Sequence, residues 1–458
     1  MRARLFLLAL LAAASGCKRS AMTAGGPGEP MLTNPVRLDT FLGEEEARPL
    51  EDWQHRYEGG FRLPLTEDWT WELPDEGRWA LSRMELGAPA VHADQLLVGS
   101  SRKSGLFVLD RTEGRLKTVV KTPGPVQAAP LRLTRWDDRT VEVPIAGTDQ
   151  VMERTESVEV HDGWIVVDTF GTVLRLDADL EPVWEQPYEA GGGIYRTPVL
   201  DGEELLLSTA RDTVSAISLA DGAWQWSYKR EVARTSMELA ILGAPAPVVD
   251  GDQVYAGFSD GAVVAMARTS GRLLWEVQVG SGQFPDIEAE VVVEGDLVVA
   301  AAYGGPVVGI DKRTRRVSWE VPDAGAVSSM ESAGGSIYTA DGKGRVHAIE
   351  PMTGAIEWMW ERPGKLFGPP RRAGGSILVG DVDGTLYALD RFEGQLQWQY
   401  RPADGTRLAG VAAPITLAGR QVLFPTAGGV LYSLVAESGR VMDHSEEPAW
   451  RADREIGW

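Results

Sequence analysis

A glycine followed four residues later by a tryptophan returns along this chain at nearly constant intervals, and no other feature narrows the possible folds as much. The glycine position is held by Gly114, Leu180, Gly222, Gly271, Arg315, Gly354, Gly394 and Gly439. The tryptophan position is held by Trp184, Trp226, Trp275, Trp319, Trp358 and Trp398 in six units, by Thr118 in the first and by Asp443 in the last. Successive units lie 39 to 49 residues apart, except the first interval of 66. A period of this size marks a stack of supersecondary units, each too small to bury its own apolar face.

The content of each unit identifies the supersecondary structure. One copy reads Pro247-Val-Val-Asp-Gly-Asp-Gln-Val-Tyr-Ala-Gly257, then Ser259-Asp-Gly-Ala-Val-Val-Ala-Met266, then Thr269-Ser-Gly-Arg-Leu-Leu-Trp275. Another has Gly374-Gly-Ser-Ile-Leu-Val-Gly380, Val382-Asp-Gly-Thr-Leu-Tyr-Ala-Leu-Asp390 and Glu393-Gly-Gln-Leu-Gln-Trp398. Asp-Gly between short apolar runs is a strong hairpin signal. With the strand leading in, each unit has four antiparallel strands, which is a propeller blade. The spacing therefore predicts an all-β, eight-bladed β-propeller. The surplus of the first interval falls near 123–156, includes Arg135-Trp-Asp-Asp-Arg139, and reads as an inserted hairpin.

The missing tryptophan at Asp443 predicts how the ring closes. Upstream of the first unit stands Leu65-Thr-Glu-Asp-Trp-Thr-Trp-Glu-Leu73, a tryptophan strand without a blade. As the outer strand of the eighth blade it would cover an edge that otherwise invites aggregation. One tryptophan per blade in constant register suits packing between blades. A ligand platform would need only one.

The N-terminal residues predict a compartment. Arg2 and Arg4 precede an apolar run over 5–14, too short to span a bilayer, and then Ala14-Ser-Gly-Cys17. The small residues before Cys17 resemble a lipobox, in which the cysteine is acylated and becomes the mature N-terminus. This divides the chain into a lipoprotein signal peptide (1–16), a Gly-, Pro- and Glu-bearing tether (17–50) and the propeller (51–458). Cys17 is the single cysteine, so an intrachain disulfide is impossible and the core must hold the fold.

A formal net charge of −21 argues against nucleic acid and against electrostatic docking on anionic lipid. Membrane attachment would come from the acyl chains. No residue pattern asks for catalysis, a cofactor or a metal. Gly257-Phe-Ser259-Asp-Gly261 matches a hydrolase motif, but it occupies a blade hairpin turn with no helix behind it. His55, His92, His161, His347 and His444 are scattered, without metal-ligand spacing.

The unit with Ala-Leu-Asp, a Gly turn and Trp resembles the repeat of pyrroloquinoline-quinone-type propellers over roughly 66–442. That group includes dehydrogenases that hold a quinone with adjacent cysteines and a calcium site, and this chain lacks the cysteines. With its lipobox, the chain resembles the BamB family of outer-membrane assembly lipoproteins. The closest likeness begins at Leu239-Ala-Ile-Leu-Gly243, where the family reads Leu-x-Leu-Arg-Gly. It continues at Asp286-Ile-Glu288, where the family reads Asp-x-Asp. The resemblance implies that Leu239, Ile241, Leu242, Asp286 and Glu288 are partner contacts, with Leu242 standing where the family has arginine.

The implied partners are the POTRA domains of a BamA-like outer-membrane insertase and its associated lipoproteins. The implied role is that of a non-enzymatic scaffold anchored to the periplasmic face of the outer membrane. Lys18, in place of Asp, gives no inner-membrane retention signal. The alternative is a propeller lipoprotein that binds another envelope ligand, a polysaccharide or a quinone-type cofactor. In an extended segment, Asp286 and Glu288 would project to one side as a solvated seat for a basic residue, with Ile287 on the other.

Overall fold

The computed structural model describes residues 62–73, 87–144, 151–231, 244–282, 284–322, 324, 327, 329–401, 410, 411 and 413–438. Cys17, Leu239, Ile241 and Leu242 lie outside them. The described elements are all strands, and they form eight four-stranded antiparallel sheets. Numbering blades along the chain, blade 1 begins at Ala90–His92 and blade 7 at Arg371–Ala373. Within each, consecutive strands are neighbours, from an innermost short strand to an outermost one.

Blade 8 is assembled from both ends of the described chain. Its inner three strands are Thr416–Ala418, Gln421–Pro425 and Val430–Ser438, and its outermost is Arg62–Glu72. The closing strand pairs antiparallel with Val430–Ser438, setting Trp69 opposite Ser433 and Glu72 opposite Val430. The ring closes with eight blades by the tryptophan strand expected from the sequence.

The glycine–tryptophan repeat is the joint between blades. Five tryptophans pack onto the glycine of the next blade: Trp69 on Gly114, Trp184 on Gly222, Trp226 on Gly271, Trp319 on Gly354 and Trp358 on Gly394. A Cβ added at Gly114 would stand 2.5 Å from the Trp69 ring, and at Gly394 2.4 Å from Trp358. These glycines have φ of +66° and +67°, so only glycine meets both demands without strain. The indole N–H completes the joint. Trp69 donates to the Arg111 carbonyl (3.0 Å), Trp184 to Leu219 (3.0 Å), Trp319 to Pro351 (3.0 Å) and Trp358 to Arg391 (2.8 Å).

Across the sheet each ring faces a small residue: Ala216 opposite Trp226, Ala265 opposite Trp275, Gly309 opposite Trp319, Ala348 opposite Trp358 and Ala388 opposite Trp398. The core consists of apolar clusters, several of them shared by adjacent blades. One gathers Leu65, Leu378, Trp398, Val422 and Phe424. Rigid face-to-face packing of this kind leaves the connections free to carry function.

Blade 2 departs from the pattern. Its first two strands, Leu131–Pro144 and Val151–Val167, remain paired for eleven further residue pairs beyond the blade, from Thr134 opposite His161 to Pro144 opposite Val151. The third strand of the blade, Thr172–Leu176, meets the second only over Trp164 to Val167. The result is a two-stranded ribbon leaving the ring.

Candidate functional site

In a ring of such blades, the connections from one blade to the next and the turns between second and third strands share one face. On that face the segment between blades 4 and 5 carries Asp286 and Glu288. It is stitched to both neighbouring turns. Ile287 N–H donates to the Phe258 carbonyl (3.1 Å), Tyr303 N–H to Asp286 (2.8 Å) and Gly304 N–H to Phe284 (2.9 Å). Ile287 also forms a single bridge with Ala302 and is 1% exposed, packed into the apolar cluster that joins the two blades.

The two acids are not solvated, contrary to the expectation from extended alternation. Asp286 is 3% exposed and Glu288 7%. The reason is geometric: the segment lies between two turns, so both of its sides are covered. Burial pushes the Glu288 carboxyl up to about 7, the charge of Asp286 adds to that shift, and the charge of Arg196 opposes it. Glu290, the next acid along the segment, is exposed.

Arg196 arrives from the connection between blades 2 and 3 and donates from Nη2 to the Glu288 carbonyl at 3.4 Å. The cation that a pair of carboxylates calls for is thus provided by the chain itself. The charged region continues round the inner strands, where Arg371 Nη1 lies 3.7 Å from Glu331 Oε1 and the Arg372 N–H donates to the same oxygen at 3.4 Å. Buried like charges beside a single guanidinium make an electrostatically tense site, a common property of functional positions.

The structure therefore brings Asp286 and Glu288 together and adds Arg196, Glu290 and Tyr303. The phenol of Tyr303 is pushed up by burial and by Glu288. Sequence reading missed Arg196 because its contact spans 92 residues and two blades, and no period reports such a pair. A second missed pair is His92 and His161, whose rings stack at 4.0 Å between blades 1 and 2. Burial and mutual repulsion lower His92 to about 4, and burial lowers His161.

The hydrolase-like motif has a structural use. Ser259 donates from its hydroxyl (2.7 Å) and its N–H (2.9 Å) to the carboxylate of Asp212 in blade 3, tying adjacent blades. Among the described residues, no three His, Cys, Asp or Glu side chains are placed to hold a metal ion.

Comparison with known proteins agrees with this architecture. The family model described as outer membrane protein assembly factor BamB matches residues 134–359 and 305–456, together more than half of the chain. The crystal structure of BamB from Moraxella catarrhalis superposes with a TM-score of 0.60 at 18% identity, covering 81% of this chain and 100% of that one. The quinohemoprotein alcohol dehydrogenase ADHIIG from Pseudomonas putida superposes with a TM-score of 0.57 at 13% identity, over 84% of this chain and 78% of that one.

In sequence, quinohemoprotein alcohol dehydrogenase ADH IIB of Pseudomonas putida is 27% identical over 115 residues, 24% of this chain. This chain covers 17% of that enzyme's length, well under two thirds. The two structural likenesses are at the level of fold, and it is the family model that decides membership. The chain belongs to the family of the outer membrane protein assembly factor BamB.

Proposed function

We propose that this chain is a non-enzymatic scaffold of BamB type, lipid-anchored through Cys17 on the periplasmic face of the outer membrane. It supports barrel-protein assembly by holding the POTRA domains of a BamA-like insertase and its associated lipoproteins. The observation that carries this reading is the family match over most of the propeller, 134–456. The contact surface is assigned to the connections on one face, with Leu239, Ile241 and Leu242 on one and Asp286 and Glu288 on another. Because Asp286 and Glu288 are buried, their part is to hold the segment and Arg196 in place under the partner, and the direct contact falls to 239–242.

Pull-down from solubilised membranes tests the partner: the insertase co-purifies with the wild type. Leu239→Asp with Ile241→Asp lowers its recovery at least tenfold, the effect of about 1.4 kcal/mol, while the melting curve is unchanged. Recovery of the insertase at the wild-type level would remove those residues from the interface. Cys17→Ser moves the protein out of the membrane fraction, and identical fractionation of variant and wild type would sink the anchor. The quinone alternative is disfavoured by the chain's own residues. Cys17 is the only cysteine, so the adjacent pair that holds the quinone in the dehydrogenases has no counterpart.

A further inference from the structure

The ribbon of blade 2 is used by neither the ring nor the site above. It runs for eleven pairs, roughly 35 Å at strand spacing, with its only register shift at its root, between Leu133 and Thr134. From Thr134 to Thr140 every residue is exposed apart from half-buried Asp137, and Trp136 is 72% exposed. A two-stranded hairpin standing alone in water is marginal, and a third or fourth strand is what normally makes one persist. Proteins usually blunt a long edge with proline, a bulge or brevity. Along 154–161 of the second strand none of these is present, and no backbone hydrogen bond from another element reaches it among the described residues.

The root, by contrast, is fixed. His161 Nδ1 lies 3.2 Å from the Leu133 carbonyl, and its ring stacks on His92 and meets Trp164 edge-on at 5.1 Å. Asp162 binds Arg135 (3.2 Å) and Arg175 (3.0 Å). Gly163 has φ +121° where a Cβ would strike the Leu176 carbonyl. The ribbon is held at a set angle to the ring, which is the condition for presenting an edge to a partner.

We propose that this edge joins two copies of the chain: the strands Val151–Val167 pair antiparallel about a two-fold axis at Thr155, making one four-stranded sheet from two ribbons. Charge selects the occupant and the register. With Thr155 opposite itself, Arg154 of each copy faces Glu156 of the other. Within each ribbon Glu156 already pairs with Arg139 and Thr155 with Thr140. One row across the joined sheet then reads Arg139, Glu156 and Arg154 of the second copy, and the next is four threonines. Opposite charges and threonine pairs directly across strands stabilise a sheet, and like charges oppose it.

Two neighbouring symmetric registers fail. Centring on Glu156 sets that carboxylate against itself and residue 153 against Glu159. Centring on Val158 carries residue 152 of the second copy to Trp164, where the edge is taken by Thr172–Leu176. A two-fold contact is self-complementary and closes, so the edge is consumed without forming fibres. A single strand edge is smaller than the ~800 Å² per partner of a standard interface, which places dissociation in the micromolar range, about 1–100 μM.

Sedimentation equilibrium of the purified full-length chain in density-matched detergent tests this. The weight-average mass doubles as the concentration rises through that range. Arg154→Glu and Glu156→Arg each weaken association at least tenfold with near-UV circular dichroism unchanged, because both side chains lie on the ribbon and outside the core. An equimolar mixture of the two variants restores the dimer, since each then offers the charge that the other lacks. Within one strand Arg154 Nε also lies 3.6 Å from Glu156 Oε1, and the recovery cannot come from repairing that contact, because each variant carries two like charges there. A wild type that stays monomeric to about 100 μM, single variants that associate like wild type, or a mixture that does not recover would each overturn the proposal.

Discussion

Two joints in the ring lack the repeat's own tryptophan, and they are repaired in opposite ways. Between blades 8 and 1 the missing residue is Asp443, and the tryptophan is brought from elsewhere. Trp69 on the closing strand takes the same seat over Gly114 and makes the same hydrogen bond to Arg111. Between blades 1 and 2 the tryptophan position is Thr118, which is exposed, and the seat itself has changed. Leu180 replaces the glycine at φ +68°, and Val108 stands across from Thr118 where other blades have alanine, glycine or serine. Leu180 then packs against a cluster of Leu97, Leu106, Val108, Val126 and Trp164. The first joint keeps the geometry by changing connectivity, and the second keeps connectivity by changing geometry. What the ring requires at each joint is filled volume, with the indole as the usual means.

The comparison breaks hardest at the closing strand. Removing residues 62–73 bares the Val430–Ser438 edge and empties the seats of Leu65 and Trp69, both buried. Calorimetry is expected to show a large fall in the unfolding midpoint and a broadened transition. A midpoint within a degree of wild type would mean the ring is not closed this way. Trp69→Ala, which keeps the strand, is expected to cost about 3–5 kcal/mol, as for a buried aromatic truncated in place, read from denaturant midpoints.

The other joint responds more weakly. Leu180→Gly loses apolar contact but relieves a left-handed backbone that costs an ordinary residue about 1–2 kcal/mol, so the change in stability stays within about 1 kcal/mol. Thr118→Trp alone is destabilising because Leu180 and Val108 occupy the seat. Combined with Leu180→Gly and Val108→Ala it recovers stability, and a double-mutant cycle reads the coupling as non-additivity. Strict additivity between Thr118→Trp and the paired changes at Leu180 and Val108 would mean that position 118 does not share their seat.

The smallest effect is in pH dependence, and its sign separates the joint of blades 1 and 2 from the connection between blades 4 and 5. His92, beside the joint of blades 1 and 2, has its folded value lowered from 6.5 to about 4. The unfolded chain then binds more protons between these values, so this contribution is full above 6.5 and is lost as pH falls towards 4. His92→Phe flattens that part of the profile. Glu288 is raised from 4.5 to about 7, so the folded chain binds more protons. Its contribution is full below 4.5 and is lost as pH rises through 7. Glu288→Gln removes the loss on the alkaline side. Variant profiles that keep these slopes, leaving a flat difference from wild type, would assign them to other groups.

The sequence carried the ring because its joints repeat. A residue type that recurs at every unit, such as Trp184, Trp226 and Trp275, reports a packing rule without any need for coordinates. The closing strand was legible for the same reason, since Trp69 lacks a blade of its own and Asp443 leaves one incomplete. The site was less legible. Alternation placed Asp286 and Glu288 on one side of an extended segment but could not show that turns at Phe258 and Ala302 enclose that segment on both sides. Arg196 and the stacked His92 and His161 occur once each. Contacts made once, between distant blades, leave no periodic trace.

The closing strand has a consequence for how the molecule comes into being. Arg62–Glu72 precedes every other described strand in the chain, and its partner, Val430–Ser438, is the last of them. The seven blades between pair with near neighbours and have only local contacts to make as they emerge, whereas this one pairing spans the ring. Long-range strand pairing is slow and leaves an adhesive edge open while it waits. The order of synthesis therefore makes the eighth blade a lock that turns only when the final strand has arrived, and until then the early strand is the molecule's most vulnerable part.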